Sequence, residues 1–324
     1  MSDNPPDLVN LNPDFSSTLA HKGTLYEISP PNLSQFNEEI LESTATDGKF
    51  YLIPWYATSA ITIYNKDLIH KSGVGVPNTY EQMADYAQLV KSKTGTYITL
   101  PNIAENDTML KILNKYGAEN VNGENAKAVF DMFKYLYSKD LIPKETVTMT
   151  LQEALEKYMS GNIVLINAGA NFLNMIKENA PQIYEVTDVA PQIKGRLGQN
   201  DYSLMNFVIP LRAKHKEEAL KFALFLTNDK NQLELAKLTN VLAVNKETLK
   251  NEFYTKYDKT DLMAKARVTS AGQLNRLKPV FRTQKNQKEV NTIINSAVQE
   301  ILLDKDDTQK VLDRAEKQRK ELQN

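Results

Sequence analysis

Short apolar runs closed by Pro, Asn or a polar turn alternate along this chain with longer stretches whose apolar residues recur every three or four positions. That alternation predicts strands separated by helices, and hence βαβ units. Residues 7–11 read as a strand, Asn12-Pro13-Asp14 as a turn, and residues 15–22 as a helix stopped by Gly23. Phe50-Tyr51-Leu52-Ile53 is an apolar run ended by Pro54, and Ala60-Ile61-Thr62-Ile63-Tyr64 a β-branched run ended by Asn65, which predict two strands. The stretch between them, Pro54-Trp55-Tyr56-Ala57-Thr58-Ser59, holds no Gly for a tight hairpin turn and is expected to be a loop. Further on, Thr79 with Gln82 and Thr150 with Glu153 have capping-box spacing ahead of helices that close at Gly95 and Gly161. Residues 97–100 read as a strand, Glu105-Asn106-Asp107 opens a helix, and residues 125–138 form another. The unbroken apolar run over residues 162–167 predicts a strand of a parallel sheet covered on both faces. Residues 202–210 predict a strand and residues 216–226 a helix. Helices over 288–303 and from Thr308 close the chain, with the charged 314–320 stretch as a solvated face.

Composition narrows the class. The chain has 324 residues, enough for two domains, and 41% of them are hydrophobic, enough for real cores. Thirty-nine basic residues nearly balance forty acidic ones, so no overall field attracts nucleic acid or an anionic membrane. The absence of Cys excludes thiol catalysis, Cys-ligated zinc and a disulfide framework. No apolar run is long enough to span a bilayer, and the first six residues lack the basic and apolar regions of a signal peptide.

Candidate chemistry lies where polar groups follow strands. Asn12 and Asp14 stand at a strand's carboxyl end, where open α/β sheets place ligands, or else cap the helix that follows. Trp55 and Tyr56, with Thr58 after them, are costly to leave in water unless something stacks on them. Asn106 and Asp107 follow a strand in the same way, as do Asn171 and Phe172, although Phe172 also suits a core position. The three His residues are far apart with no second ligand at metal spacing, and no nucleotide-binding or hydrolase motif is present, so neither cofactor nor metal is expected. Aromatic faces beside short polar groups suit a sugar, which has apolar C–H faces and hydroxyl rims.

The run Pro54-Trp55-Tyr56, then Ile63-Tyr64-Asn65-Lys66-Asp67-Leu68, Gly73, Pro77 and Thr79-Tyr80-Glu81-Gln82-Met83 resembles the first crossover region of the maltose-binding-protein-like solute-binding proteins of ABC importers. Pro6-Asp7-Leu8-Val9 with Asn12-Pro13-Asp14 resembles the family's preceding strand and ligand loop, and Ile209 through Glu218-Ala219 to Phe222 its return crossing. Phe172 falls where the second lobe presents an aromatic, with Ala170 in place of a tryptophan often found just ahead. The resemblance implies an α/β, two-lobed, type II periplasmic-binding-protein-like fold. Lobe one would take residues 1–57 and 205–258, lobe two 58–204 and 259–324, with hinge crossings near 57–64, 202–207 and 258–263.

The implied function is to bind a sugar or oligosaccharide in the interlobe cleft and, after hinge closure, to deliver it to an ABC permease in the membrane. Asn12, Asp14, Trp55, Tyr56, Thr58, Asn106, Asp107, Asn171, Phe172 and Tyr202 are the expected ligand contacts. The resemblance further implies a monomer without enzymatic activity or nucleic-acid partner, periplasmic or held at the cell surface as a lipoprotein. A glycan-active enzyme and a non-transport sugar sensor are the alternatives. The family opens lobe one with a strand, helix and strand ahead of the Pro-Asp motif, so the expectation is an N-terminally truncated lobe one.

Overall fold

The computed structural model describes residues 4–274 and 286–322, apart from the side chains of Pro13 and Asp14. Seven strands are found among these residues: β1 (Val9–Leu11), β2 (Leu52–Thr58), β3 (Ala60–Asn65), β4 (Tyr97–Thr99), β5 (Ile163–Gly169), β6 (Thr187–Pro191) and β7 (Ser203–Val208). They form two sheets, β1-β7-β2 and β4-β5-β3-β6. The chain divides correspondingly into two units, Met1–Ser59 with Tyr202–Gln287, and Ala60–Asp201 with Lys288–Asn324.

In the first unit β7 is the central strand and runs antiparallel to both neighbours, with Leu11 and Pro54 both opposite Asn206. One core side packs Ile53, Phe207 and Ile209 against Leu33, Phe36, Ile40 and Ala223. The other packs Leu52 and Val208 against Ala20 of the helix Pro13–His21. Each such buried aliphatic or aromatic side chain contributes ~1.5–3 kcal/mol relative to exposure.

Two expectations change here. β2 does not end at Pro54 but continues to Thr58, so the expected loop is strand. An edge strand tolerates a residue without an N–H, and β2 pairs within its sheet only with β7. A bulge between Pro54 and Tyr56 absorbs the irregularity. Of the residues from 259 on that were assigned from sequence to the second lobe, the described residues 259–274 and 286–287 belong to the first unit. The helix Leu262–Ala271 is held there by Arg267, whose Nε donates to the Phe253 carbonyl at 2.7 Å and whose guanidinium lies 3.7 Å from the Phe253 ring centroid. Beyond it, Gln273 Nε2 donates to Ser59 Oγ at 3.0 Å. The chain thus passes between units after Ser59, Asp201 and Gln287, the third passage lying well beyond residues 258–263.

The second unit's sheet is mixed. β5 is parallel to β4 but antiparallel to β3, which corrects the wholly parallel expectation. The apolar run signalled cover on both faces, and Ile163, Val164, Leu165 and Ile166 are indeed all buried, but burial does not set strand direction. Thr150 and Glu153 make the full reciprocal cap. Thr79 accepts from Gln82 N at 3.2 Å, whereas the Gln82 amide reaches back one residue further, to Asn78 N at 2.8 Å. The 314–320 stretch is not a solvated face throughout: Glu316 and Arg319 are buried in the helix Thr308–Glu321. β6 and the short helix Glu38–Thr44 were not foreseen.

Candidate functional site

In a regular strand Trp55 and Tyr56 would face opposite sides of the sheet. The bulge at this point adds a residue to β2, and the two rings meet edge to face with centroids 4.8 Å apart. Trp55 also stacks on Phe207 of β7, centroids 4.7 Å apart and planes tilted by 30°. Phe207 is buried, while Trp55 and Tyr56 are half-buried, so a buried ring supports the partly open Trp55, which in turn meets Tyr56. Such an arrangement offers an apolar plane with polar edges, which suits a ligand having both characters.

The backbone of this bulge is tied down by a side chain that sequence reasoning missed. Gln232, 1% exposed on the helix Asp229–Thr239, donates from Nε2 to the Trp55 carbonyl and accepts the Val244 N–H on Oε1 at 2.8 Å. Phe207 was legible as an aromatic in a strand. Gln232 gave no signal, because its role depends on the position of the bulge.

The other expected contacts of the first unit are differently placed. Asn12 caps the helix Pro13–His21, its Oδ1 accepting from Phe15 N at 2.9 Å, which is the capping alternative. The Asp14 side chain lies outside the described residues. Thr58 is exposed at the end of β2. The Tyr202 hydroxyl is bonded to Ser43 Oγ at 2.7 Å, and burial raises its pKa above the usual phenol range despite that bond. This hydroxyl is therefore engaged within the unit.

In the second unit Asn106 is exposed with φ at 49°, a left-handed conformation that Asn tolerates, and its carbonyl accepts from Asn295 Nδ2 at 3.0 Å. Asp107 pairs with Lys111 one helical turn on, at 3.1 Å. Glu105 steadies the turn by accepting from Asn102 Nδ2 and Leu151 N, both at 2.8 Å. Asn171 is exposed where β5 gives way to the helix Phe172–Asn179, and Phe172 is half-buried. A Cβ on Gly169 would lie 2.4 Å from Asn171 Oδ1, so the bare glycine leaves the space this amide occupies. Within each unit, then, Trp55 and Tyr56 are brought into contact, whereas Asn12 and Tyr202 are taken up by local bonds. No helix among the described residues is long and apolar enough to cross a membrane.

Comparison with known proteins places these features. The family model described as bacterial extracellular solute-binding protein matches residues 1–263. A provisionally assigned binding protein of Brucella abortus (strain 2308) is 27% identical over 293 residues, covering 86% of this chain and 69% of its own. The galactooligosaccharide-binding protein of Bacillus subtilis (strain 168) is 22% identical over 327 residues, 96% of this chain and 75% of its own. Among solved structures, a provisionally assigned oligosaccharide periplasmic-binding protein from Synechococcus sp. MITs9220 superposes with a TM-score of 0.87 at 28% identity, covering 97% of this chain and 84% of the other.

Proposed function

Because the chain belongs to the bacterial extracellular solute-binding proteins, we propose that it binds a sugar or oligosaccharide and delivers it to the permease of an ABC importer. The observation that carries the sugar is the pair of half-buried rings, Trp55 and Tyr56, brought together by the β2 bulge and backed by Phe207. An aromatic face covers the C–H face of a pyranose, and the indole N–H and phenol O–H at its edge meet hydroxyls. Thr58 in the same unit, and Asn106 and Asn171 in the other, supply further short polar groups. The oligosaccharide-binding relatives support the same ligand class. Ligand binding would favour the state that makes most contacts with the ligand, which is the state a permease can recognise. The chain acts outside the cytoplasm, as a monomer, without chemical turnover of its ligand.

Trp55 is the only Trp, so its emission reports directly on this surface. Titration with a panel of mono- and oligosaccharides is expected to give saturable changes in emission and a rise in thermal midpoint, with the sugar recovered intact. Trp55→Ala is expected to weaken binding by at least ~10-fold, the loss of one stacked ring. A panel without any shift would sink the carbohydrate assignment, and product formation would favour an enzyme.

A further inference from the structure

The outer edge of β2 faces the segment around Leu242. Ala57 and Leu242 exchange both backbone hydrogen bonds, each at 2.9 Å. In an antiparallel ladder, the next pair to exchange bonds would be two residues back on one strand and two forward on the other. That pair is Trp55 and Val244. Here the amide of Gln232 stands between them, giving its N–H to the Trp55 carbonyl and taking the Val244 N–H. It makes the two bonds of a peptide unit inserted in the ladder. The separation of the strands at this point coincides with the bulge that brings the Trp55 and Tyr56 rings together.

We infer that Gln232 is a positioning residue for ligand binding: its buried amide holds the Trp55 backbone away from Val244 and thereby sets the angle of the Trp55 ring. Being 1% exposed, it does not touch the ligand itself. Without the amide, the Trp55 carbonyl and Val244 N–H are left unpaired in a buried place, and they regain partners by closing on each other. Closure draws the backbone of residue 55 outward and tilts its ring on Phe207. Ligand affinity is thus tuned from the far side of the strand, in the helix Asp229–Thr239. The ligand part of this inference rests on the sugar-binding reading above.

The test compares wild type, Gln232→Leu, Gln232→Glu and Gln35→Ala. Gln35 donates to Thr227 Oγ1 at 2.8 Å in the same unit, so its loss controls for a broken side-chain amide bond elsewhere. Ligand-free Trp55 emission and acrylamide quenching are expected to change in Gln232→Leu but not in Gln35→Ala. Sugar Kd is expected to rise about tenfold in Gln232→Leu and to stay unchanged in Gln35→Ala, the effect of a stacked ring set at the wrong angle. In Gln232→Glu the ionised carboxylate accepts the Val244 N–H but cannot donate. Burial raises the pKa of such a group, so mild acid restores an O–H donor to Trp55 and with it the wild-type spectrum. This return on acidification keeps the test decisive where Gln232→Leu fails to fold. Ligand-free spectra of both Gln232 variants identical to wild type at every pH would overturn the inference, as would an equal loss of affinity in Gln35→Ala. A wild type that binds no sugar overturns the functional reading and the ligand part, while the ligand-free spectra still decide whether Gln232 sets the ring.

Discussion

Glu316 grips Arg319 with both oxygens, Oε1 to Nη2 at 2.7 Å and Oε2 to Nε at 2.9 Å, with 2% and 6% of the two residues exposed. Oε2 also takes the Val121 N–H at 3.0 Å, so the pair fastens the last helix of the second unit to the turn at residue 121. Removing Arg319 takes the fork from a buried carboxylate and leaves it the Val121 N–H and the exposed Lys320 ammonium at 3.6 Å. Arg319→Met is expected to cost ~3–5 kcal/mol, read as a lower urea midpoint, whereas Glu316→Gln with Arg319→Met should recover part of that loss.

The same carboxylate gives an acid limit. Burial pushes the Glu316 pKa up, but the Arg319 fork and the Val121 N–H together outweigh it and hold the group below its ordinary 4.5. A lowered acid contributes fully above its unfolded value and loses that contribution as pH falls through the folded one. Wild type should therefore lose stability below pH 4.5 more steeply than Glu316→Gln, measured as the difference between their urea midpoints against pH.

At Lys115 the fold disfavours the charged form, yet the pH dependence has the same sign. This lysine is 5% exposed, donates to Gln192 Oε1 at 2.7 Å and the Ile193 carbonyl at 3.1 Å, and lies 3.4 Å from Asp201. Burial lowers its pKa from 10.5 despite the pull of Asp201. Between the folded value and 10.5 the unfolded chain holds more protons, so this group's contribution to stability rises with pH. Buried Tyr80 and Tyr116 resist ionisation and act the other way in strong alkali, in wild type and variant alike. Wild type minus Lys115→Met, followed as pH approaches 10.5, is expected to rise. At neutral pH the substitution costs ~1–3 kcal/mol through the two charge-assisted bonds it removes, Gln192 Oε1 keeping the Asp201 N–H at 3.0 Å.

Gly195 lies against the backbone of the same lysine. An added Cβ would sit 2.5 Å from the Lys115 carbonyl oxygen and 2.6 Å from its carbon, and Leu197 N donates to that oxygen at 3.0 Å. Backbone cannot swing aside as a side chain does. Gly195→Ala should cost at least ~1–3 kcal/mol, seen as a lower thermal midpoint.

Gly169→Ala makes the contrasting case, since its added Cβ meets the free end of a side chain, Asn171 Oδ1. The amide turns away at little cost. The thermal midpoint is expected to change little while sugar affinity falls to that of Asn171→Ala; an unchanged affinity would remove Asn171 from the ligand surface.

These residues also mark what could be read from sequence. The fold class followed from the resemblance, and the helix Lys216–Leu226 followed from apolar spacing in the same residues. Capping at Thr150 was legible because every atom involved lies within four residues. Trp55 and Tyr56 stood out by composition, but not their contact, because Pro54 reads as a strand breaker unless the strand is known to be an edge. Gln232 and the Glu316–Arg319 pair were invisible for a related reason. A polar residue's burial is decided by partners such as Val244 or Val121, and nothing in the local pattern points to them.

The sheet topology also orders events during synthesis. Val9 pairs with Val208 and Leu52 with the same residue, so β1 and β2 leave the ribosome long before the strand that joins them. β3 to β6 all lie between residues 60 and 191 and can pair before β7 exists. The nascent chain therefore builds the sheet of its second unit first, with the start of the first unit waiting unpaired. A pause in translation short of residue 203 would prolong that wait, leaving Leu52, Ile53 and Trp55 exposed to whatever chaperone or neighbouring chain reaches them first.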